Sequence, residues 1–383
     1  MKLIRLSTVP GSLNTFYKGF LKELSNEGYE VVAISSPGDP LNEIEEREGV
    51  KTLAIPMERH ISPFKDLKSL LKLIKVFKKE KPDLIHSITP KAGLLSMIAG
   101  WITNVPVRLH TFTGLVFPTS TGLKQKILIL TDRITCACAT HVNPEGQGVR
   151  NDLINYKITK KPLKVLGYGN IKGIDLKHFD PELTDIIKKS KEFKTEGIFT
   201  FIFIGRLVGD KGINELIAAF KQLNEKYPKT KLILLGDKEQ NLDPLKPDTL
   251  TEIENNPAIE AVGRKKDVRP WLLASDALVF PSFREGFPNV VIEAGAMGLP
   301  SIVTDINGSR EIIIEGENGT IIPSKNEKAL FDAMEKFLNS PDKLKQMADK
   351  SRDLVSSRFE QSFVRKCLKD YYKEISKEKG LIK

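Results

Sequence analysis

The feature that most constrains the fold is an alternation of short apolar runs with longer amphipathic ones. Four runs in the first part of the chain have the length and composition of buried strands, and helical patterns separate them. This alternation predicts βαβ units with a parallel sheet and right-handed crossovers. The predicted strands cover residues 2–8, 30–35, 83–88 and 105–112, and the predicted helices cover 16–25, 63–80 and 92–102.

The same alternation begins again near residue 197, where the continuous apolar run over residues 197–205 predicts another buried strand. The chain has 383 residues, the length of two domains, and its 40% hydrophobic residues suffice for two cores. We therefore predict an α/β protein of two doubly wound, Rossmann-like domains that face each other across a cleft. The predicted parts are a first domain (1–165), a connection rich in Gly, Lys and Asp (166–196), a second domain (197–360) and a C-terminal helix (361–383) that packs back towards the first domain.

Composition also limits where the protein works. The first residues lack the basic start and apolar core of a signal peptide. The longest apolar stretch, residues 92–107, is shorter than the roughly 20 residues that span a bilayer. Three cysteines cannot form a disulfide framework, and with five histidines they make no convincing metal set. These features predict a cytoplasmic protein that is soluble or attached to a surface.

The positive charge is confined to one part of the chain. Lys and Arg number 59 against 49 Asp and Glu, which gives a net charge of +10. Residues 61–190 alone carry +11, whereas residues 1–60 carry −2 and residues 191–383 carry +1. Such a surplus predicts an anionic partner. Because the sequence shows no basic patch interleaved with aromatic residues, we favour an acidic lipid surface or a phosphorylated substrate over a nucleic acid.

Ligands of doubly wound sheets bind beyond the carboxyl ends of the strands, so the loops there are the candidate sites. After the first predicted strand, Gly11 stands in a loop that leads into a helix, where glycine lets the backbone approach an anion. An ordinary strand–helix turn explains this loop equally well. In the second domain, Arg206 and Lys211 follow a strand and suit a diphosphate. The alternative is a pair of solvated surface cations.

Two carboxylates flank a predicted strand–helix junction in the second domain. Glu285 falls in the loop after the strand, and Glu293 falls about one turn into the helix. Carboxylates accept hydrogen bonds from sugar hydroxyls and amides donate to phosphate, so the pattern predicts a sugar-nucleotide site. For Glu293 alone, the alternative is an acid that the helix dipole stabilises. The backbone donors between the carboxylates are Gly286, Phe287 and Asn289, whereas Pro288 has no N–H group.

These motifs resemble retaining glycosyltransferase family 4, whose members have the GT-B fold. The spacing of Glu285 and Glu293, with seven residues between them, is one of the family's specific motifs. The resemblance covers nearly the whole chain. Other matching segments are 205–207, 211–212, 262–263, 267–268 and 318–319, with 173–179 between the domains. The segments 9–12, 89–93 and 114–117 are similar to the subgroup that extends lipid-linked oligosaccharides in bacterial capsule or O-antigen synthesis.

The resemblance implies a role for each matching residue. Arg206 and Lys211 would neutralise the donor diphosphate as it leaves. Glu285 would face the donor sugar near its anomeric centre, and Glu293 would hold ribose hydroxyls. Gly11 would let the first-domain loop close over the phosphates. The cradle for sugar and phosphate would be completed by Gly286, Phe287, Pro288 and Asn289, and the base would bind near residues 263–266.

The reaction that the resemblance implies is a sugar transfer. A UDP-linked hexose or N-acetylhexosamine would move to a hydroxyl of a glycan acceptor, free or linked to a polyprenyl diphosphate. The donor's α configuration would be kept, because the acceptor attacks the face from which the nucleotide leaves. The leaving phosphate can itself serve as base. Since the chain contains no Asp-x-Asp and the site has its own cations, we expect no metal or other cofactor.

One position departs from the family pattern. Many relatives carry a histidine before the glycine in the loop after the fourth strand, whereas Thr113 stands there in this chain. His110 stands three residues earlier, on the opposite face of the strand. His110 is therefore a candidate catalytic residue, but we slightly favour a histidine packed in the sheet. His86, at the end of the preceding strand, is a second candidate.

The helix predicted over residues 63–80 bears on the acceptor. A sheet-covering helix with one solvated charged side explains its pattern, and on the helix alone we favour that interpretation. The alternative is that its lysines lie against anionic lipid headgroups, which would place the protein on the inner face of the cell membrane. The predicted lysine stripe is Lys65, Lys68, Lys72, Lys75 and Lys79, and the predicted apolar face is Leu67, Leu70, Leu71, Ile74 and Phe77.

Two other functions remain open from the sequence. A sugar-nucleotide epimerase on a related two-domain fold would need acid–base carboxylates or histidines from both domains. The small number of histidines argues against it. A non-catalytic subunit that binds a nucleotide sugar is favoured by Thr113, which stands where a histidine is usual.

Overall fold

A computed structural model describes residues 1–58, 60, 62–239 and 243–382 of the chain. The chain divides into two compact units. The first contains Met1–Gly173 together with Ser362–Lys383, and the second contains Ile174–Gln361. The C-terminal segment therefore belongs to the first unit, although the second unit precedes it in the chain.

The first unit is built on a parallel sheet. Its strands are β1 (Lys2–Leu6), β2 (Glu30–Ser35), β3 (Lys51–Ala54), β4 (Leu84–Ile88), β5 (Val107–Phe112) and β6 (His141–Pro144). They lie in the order β3-β2-β1-β4-β5-β6, and neighbouring strands are parallel. The order changes direction between β1 and β4, which makes this position the topological switch point. Thr8 and Thr89 meet there, with Thr8 N donating to Thr89 Oγ1 at 3.0 Å.

Helices cover both faces of this sheet. They are α1 (Pro10–Phe16), α2 (Phe20–Asn26), α3 (Asp39–Glu48), α4 (Pro63–Glu80), α5 (Pro90–Ile102), α6 (Gly122–Cys138), α7 (Gln147–Asn155) and, at the end of the chain, α16 (Gln361–Glu378). Leu3 and Ile4 of β1 are both fully buried but belong to different apolar clusters, because successive strand residues point to opposite faces. Leu368 and Tyr372 of α16 pack in the same cluster as Leu3.

The second unit repeats this architecture. Its strands are β7 (Phe199–Ile204), β8 (Thr230–Leu235), β9 (Ile259–Ala261), β10 (Ala277–Phe280), β11 (Ser301–Thr304) and β12 (Gly319–Ile322). They lie in the order β12-β11-β10-β7-β8-β9. Neighbouring strands are again parallel. The switch point of this sheet therefore lies between β7 and β10.

The helices of the second unit include one in the segment predicted to connect the domains. They are α8 (Thr184–Phe193), α9 (Ile213–Lys226), α10 (Pro247–Asn255), α11 (Arg269–Leu273), α12 (Asn289–Ala296), α13 (Ser309–Ile312), α14 (Glu327–Leu338) and α15 (Pro341–Phe359). Ile186 of α8 is fully buried in the core of this unit. The Phe193 ring stacks on Trp271 with the ring centroids 3.7 Å apart. Much of the segment 166–196 is thus integral to the second unit.

The helix predicted over residues 16–25 is interrupted in the structure. Gly19 separates α1 from α2 and has φ 78°, a conformation that glycine adopts without steric cost. The Glu48 carboxylate of α3 accepts hydrogen bonds from Gly19 N at 2.7 Å and from Lys22 N at 3.1 Å. A side chain from another helix therefore caps the start of α2.

Candidate active site

Two loops meet at the switch point of the second unit. One follows β7 and covers residues 205–212, and the other follows β10 and covers residues 281–288. Because β7 and β10 are neighbours, their carboxyl ends bring these loops together. Gly212 has φ 71°, and a Cβ there would lie 2.2 Å from the Pro281 carbonyl oxygen. The close approach of the two loops thus requires glycine at this position.

The central contact of the site is an ion pair between Lys211 and Glu285. Lys211 Nζ contacts Glu285 Oε1, and the two side chains are only 14% and 18% exposed. The Oγ of Ser282, a fully buried residue, donates to the same carboxylate oxygen at 3.1 Å. Water therefore screens this pair less than it screens a surface pair. The structure thus brings Lys211, for which the resemblance implies a role at the donor diphosphate, into contact with Glu285, for which it implies a role at the donor sugar.

Arg206 lines a cavity of about 360 Å³ at the carboxyl ends of β7 and β8. Its Nη1 forms an ion pair with Glu239 Oε2 at 2.9 Å. Burial by itself would lower the pKa of Arg206, but the pair with Glu239 and the charges of Asp210 and Glu285 raise it above its usual value. The volume is in the range of small-ligand sites. The cavity is also lined by Gly205, Gly236, Asp237, Arg264, Lys265 and Val268, so part of the segment predicted to bind the base lies beside Arg206.

The loop after β10 leads directly into α12. The helix begins at Asn289 with Pro288 as its N-cap, and Val291 N donates to the Pro288 carbonyl oxygen at 3.1 Å. Gly286, Phe287 and Pro288 are buried. Glu293 lies in the second turn of α12 and is partly buried. The predicted cradle residues thus form one continuous segment between Glu285 and α12.

Gly11 lies in the first unit, in surroundings that differ from the prediction. It is part of α1 rather than of a loop, because Pro10 starts the helix. Gly11 is exposed, and a Cβ there would meet no atom within 4 Å. Its local packing therefore does not require glycine, and its role towards the donor stays a prediction.

His110 is enclosed in the sheet of the first unit. The residue is 1% exposed, and its Nδ1 shares a hydrogen bond of 2.9 Å with Ser87 Oγ. Its ring packs edge-on against Phe112 with the centroids 4.5 Å apart. Burial lowers the pKa of His110 to about 3, so the neutral ring is a weak base at pH 7. These contacts support the interpretation of His110 as a histidine packed in the sheet.

His86 is likewise part of the core. Its Nε2 shares a hydrogen bond of 2.6 Å with Thr111 Oγ1, and its Nδ1 shares one of 2.6 Å with the Tyr372 hydroxyl. The buried guanidinium of Arg5 contacts both Nδ1 and that hydroxyl. Burial, with the Arg5 charge, lowers the pKa of His86 well below its usual value. Because Tyr372 belongs to α16, this network fixes the C-terminal helix to the sheet.

A glycine of α5 allows the packing of His110 to be tested. A Cβ at Gly93 would lie 2.4 Å from Cε1 of the His110 ring. We expect Gly93→Ala to lower the free energy of unfolding by about 1–3 kcal/mol, because the overpacking outweighs the better helix propensity of alanine. Urea unfolding of the full chain measures this change.

Two further variants control for this expectation. His110→Ala removes the ring, so Gly93→Ala should cost little in that background. Gly11→Ala places a Cβ where it meets no atom within 4 Å, and we expect the stability to stay the same or to rise slightly. A Gly93→Ala protein as stable as the wild type would contradict the packing described for His110.

Two residues of the site were not predicted from the sequence. Ser282 belongs to the motif around Glu285, but its role depends on a turn that returns its hydroxyl to that carboxylate. Glu239 contacts Arg206 across two neighbouring strands, β7 and β8. Its position shortly after an apolar strand was the signal that could have indicated it, because residues there gather at the carboxyl edge of the sheet.

The described residues were also compared with what a metal site and a membrane-spanning helix require. Within residues 1–58, 60, 62–239 and 243–382, no three His, Cys, Asp or Glu side chains are grouped as the ligands of a metal ion would be. In the same part of the chain, every helix is too short or too polar to span a bilayer.

The two halves of the chain match two family models. Residues 13–169 match the glycosyl transferase 4-like domain, and residues 184–354 match the glycosyl transferases group 1 domain. Each match falls within one of the two structural units. The family predicted from the motifs is therefore found over most of the chain.

Two relatives are similar to this chain over most of its length. The capsular polysaccharide biosynthesis glycosyltransferase CapM of Staphylococcus aureus is 32% identical over 378 residues, which are 98% of this chain and 98% of CapM. An Escherichia coli enzyme, UDP-Gal:alpha-D-GlcNAc-diphosphoundecaprenol alpha-1,3-galactosyltransferase, is 30% identical over 317 residues, 81% of this chain and 80% of that protein.

Solved structures share the fold. Anabaena Alr3699/HepE in complex with UDP superimposes with a TM-score of 0.81 at 19% identity, covering 98% of this chain and all of the other. WaaG, a glycosyltransferase involved in lipopolysaccharide biosynthesis, gives a TM-score of 0.74 at 15% identity, covering 96% and 98%. These likenesses confirm the predicted GT-B fold. The two family models and the 32% identity to CapM over 98% of both chains show that this chain belongs to the family 4-like, group 1 glycosyltransferases.

Proposed function

We propose that the protein is a retaining glycosyltransferase that uses a UDP-linked hexose or N-acetylhexosamine and a glycan acceptor on a polyprenyl diphosphate. The observation that carries the proposal is the contact of Lys211 with Glu285 in the same unit as the cavity that Arg206 lines. The Escherichia coli relative supports the donor, since its name specifies UDP-Gal. A Campylobacter jejuni relative, N,N'-diacetylbacillosaminyl-diphospho-undecaprenol alpha-1,3-N-acetylgalactosaminyltransferase, supports the acceptor at 26% identity over 88% of this chain and 89% of that protein.

The donor would occupy the second unit. Its diphosphate would lie between Arg206 and Lys211, with the nucleoside in the cavity beside Arg264 and Lys265. Glu293 would accept hydrogen bonds from ribose hydroxyls. Arg206 provides a planar fork of N–H donors and Lys211 a compact charge, a combination that suits a diphosphate.

The transfer would need no protein nucleophile. The acceptor hydroxyl attacks the anomeric carbon from the face that the diphosphate leaves, so the old C–O bond breaks and the new one forms on the same side. The proton of the hydroxyl passes to a departing phosphate oxygen. Lys211 and Arg206 stabilise the negative charge that develops on the leaving group, and we therefore propose that no divalent metal is required. Glu285 stabilises the positive charge that develops on the sugar.

A screen of nucleotide sugars by thermal shift tests the proposed donor. A ligand that binds the folded state at 100 times its Kd stabilises it by about 2.7 kcal/mol. We expect UDP-hexoses or UDP-N-acetylhexosamines to raise Tm by several degrees and GDP- or ADP-sugars to have little effect. An increase with GDP- or ADP-sugars alone would contradict the proposed donor.

The structure of α4 supports contact with a membrane. The predicted lysines Lys65, Lys68, Lys72, Lys75 and Lys79 are all exposed. Two residues of the predicted apolar face, Leu67 and Leu71, are exposed instead, by 55% and 58%. The buried side of α4 contains Phe77, as predicted, and Leu73, which was not in the predicted face. Phe64 at the start of α4 is 92% exposed. The outer side of α4 thus combines cations with large apolar side chains.

We propose that this outer side of α4 lies on an anionic lipid surface, where the protein meets its lipid-linked acceptor. Each lysine near such a surface contributes about 1 kcal/mol. The apolar side chains would enter the headgroup region as they do in interfacial helices. Leu123, in the first turn of α6, is 74% exposed. Because α4 and α6 both pack on α5, Leu123 can add to the same surface.

Flotation with liposomes tests the membrane contact. We expect the wild type to float with phosphatidylglycerol vesicles at low salt and to dissociate at high salt. Lys68→Glu with Lys72→Glu should lower the bound fraction at least about tenfold, because the two reversals turn attraction into repulsion. The matched control is Lys373→Glu with Lys377→Glu, the same charge change on exposed residues of α16. A wild type that stays in the soluble fraction at low salt, or an equal loss in the control, would contradict the assignment to α4.

A further inference from the structure

Both cations assigned to the donor diphosphate already contact carboxylates. Lys211 pairs with Glu285, and Arg206 pairs with Glu239. A diphosphate that binds between these cations has to replace the two carboxylates or share the cations with them. The ion pairs of the site therefore influence how tightly it holds a donor.

The two carboxylates differ in what else they do. Glu285 has a second hydrogen bond, from Ser282, and a proposed role towards the sugar. Glu239 has no such role, and it lies in the loop after β8 beside the cavity that Arg206 lines. Like Asp237, Glu239 is an acidic residue that lines this cavity.

The ion pair between Arg206 and Glu239 is exposed enough for Arg206 to exchange Glu239 for another anion. The two side chains are 46% and 37% exposed, so water screens their attraction and the pair is weak. A phosphate group brings more charge and more acceptor oxygens than one carboxylate, and it can accept from the guanidinium in a bidentate manner. Arg206 is therefore able to turn from Glu239 to a diphosphate.

We propose that Glu239 competes with the donor diphosphate for Arg206 and thereby sets how tightly the site holds its donor. This inference rests on the proposed function. By occupying Arg206, Glu239 lowers the affinity for any diphosphate and also repels its charge. A nucleoside without phosphate does not compete for Arg206. Glu239 therefore weakens binding of UDP but not of uridine.

Calorimetric titration of the full-length chain with UDP and with uridine tests the proposal. Glu239→Gln keeps the size of the side chain and removes its charge. We expect the Kd for UDP to fall about three- to tenfold at low salt and the gain to shrink at high salt. The Kd for uridine should change less than about twofold. The matched control is Glu254→Gln, which removes an exposed carboxylate that pairs with Lys238 at 3.4 Å.

A double-mutant cycle assigns the effect to Arg206. In an Arg206→Gln background Glu239 no longer pairs with Arg206 and only its direct repulsion of the diphosphate remains, so Glu239→Gln should lower the Kd for UDP by less than about twofold. A gain as large as in the wild-type background would overturn the competition for Arg206. So would equal gains for UDP and uridine, or weaker UDP binding by Glu239→Gln, which would make Glu239 a ligand of the nucleotide.

The outcome for the wild type separates this inference from the proposed function. A wild type that binds UDP, with a Glu239→Gln variant of the same affinity, would overturn the role of Glu239 alone. A wild type that does not bind UDP would overturn the proposed donor and the inference with it. Tighter UDP binding by Glu239→Gln, with unchanged uridine binding and a much smaller gain in the Arg206→Gln background, would support both.

Discussion

Replacing Lys211 with alanine is expected to lower kcat/KM for the donor by about 100- to 1,000-fold. Lys211 is mostly withdrawn from water, so its charge would act strongly on the departing diphosphate in the proposed reaction. The substitution also leaves the Glu285 carboxylate without its cation, next to the position proposed for the phosphates. Both changes raise the free energy of the transition state. Steady-state rates of UDP release from the UDP-sugar, with and without acceptor, measure the loss.

Lys221→Ala provides the matched control for Lys211→Ala. Lys221 belongs to the same unit, is about half exposed and pairs with Glu252 at 3.1 Å. We expect this variant to keep the wild-type kcat/KM, because exposed pairs contribute little. Thermal unfolding of both variants verifies that they fold. A folded Lys211→Ala protein with near wild-type turnover would overturn the assignment of Lys211 to the diphosphate.

The second large effect is expected from Glu285→Gln. We expect kcat to fall about 100-fold or more, because glutamine lacks the charge that we propose stabilises the sugar in the transition state. Glutamine retains the size of glutamate and can still accept from Ser282 Oγ. UDP carries no sugar, and the substitution releases Lys211 from its carboxylate partner. The Kd for UDP should therefore stay unchanged or fall.

Titration with UDP and turnover of the UDP-sugar together measure this division of roles. Glu317→Gln is the control, because Glu317 is a half-exposed carboxylate of the same unit that pairs with Lys350 at 3.7 Å. We expect it to change neither quantity. Wild-type kcat in Glu285→Gln, or a large loss of UDP affinity with unchanged kcat, would contradict the role of Glu285 at the sugar.

The same assays distinguish sugar transfer from the two other functions considered. An epimerase would convert the nucleotide sugar without releasing UDP. A non-catalytic subunit would bind the donor and show no turnover in the wild type. A glycosyltransferase releases UDP at a rate that the acceptor increases, and it loses that activity with Lys211→Ala and Glu285→Gln.

The central strands could be predicted from the sequence because parallel strands are buried on both faces. Residues 30–35 form β2 with the predicted bounds, and the predicted strand 197–205 contains β7. The edge strand β3 was not predicted, since Lys51–Ala54 is short and partly exposed and lacks a continuous apolar run. The interruption at Gly19 was not predicted either, because the cap comes from Glu48, distant in the sequence.

The candidate site could be predicted in part, because residues at the ends of strands reach one edge of a sheet. That rule singled out Lys211 and Glu285 separately. Their contact depends on β7 and β10 being neighbours, and the local pattern does not encode strand order. For His110, the pattern left a catalytic and a packed interpretation open. Its burial and its hydrogen bond to Ser87 favour the packed one.

The anomeric configuration of the transfer product tests the central claim most directly. Purified protein would be incubated with the UDP-α-sugar that the thermal-shift screen identifies and with a polyprenyl diphosphate-linked glycan. NMR of the product would then report the configuration of the new bond. We predict an α-linked sugar on the acceptor, formed with release of UDP. A β-linked product would contradict the retaining mechanism, and UDP release without any glycosylated lipid would contradict the proposed acceptor.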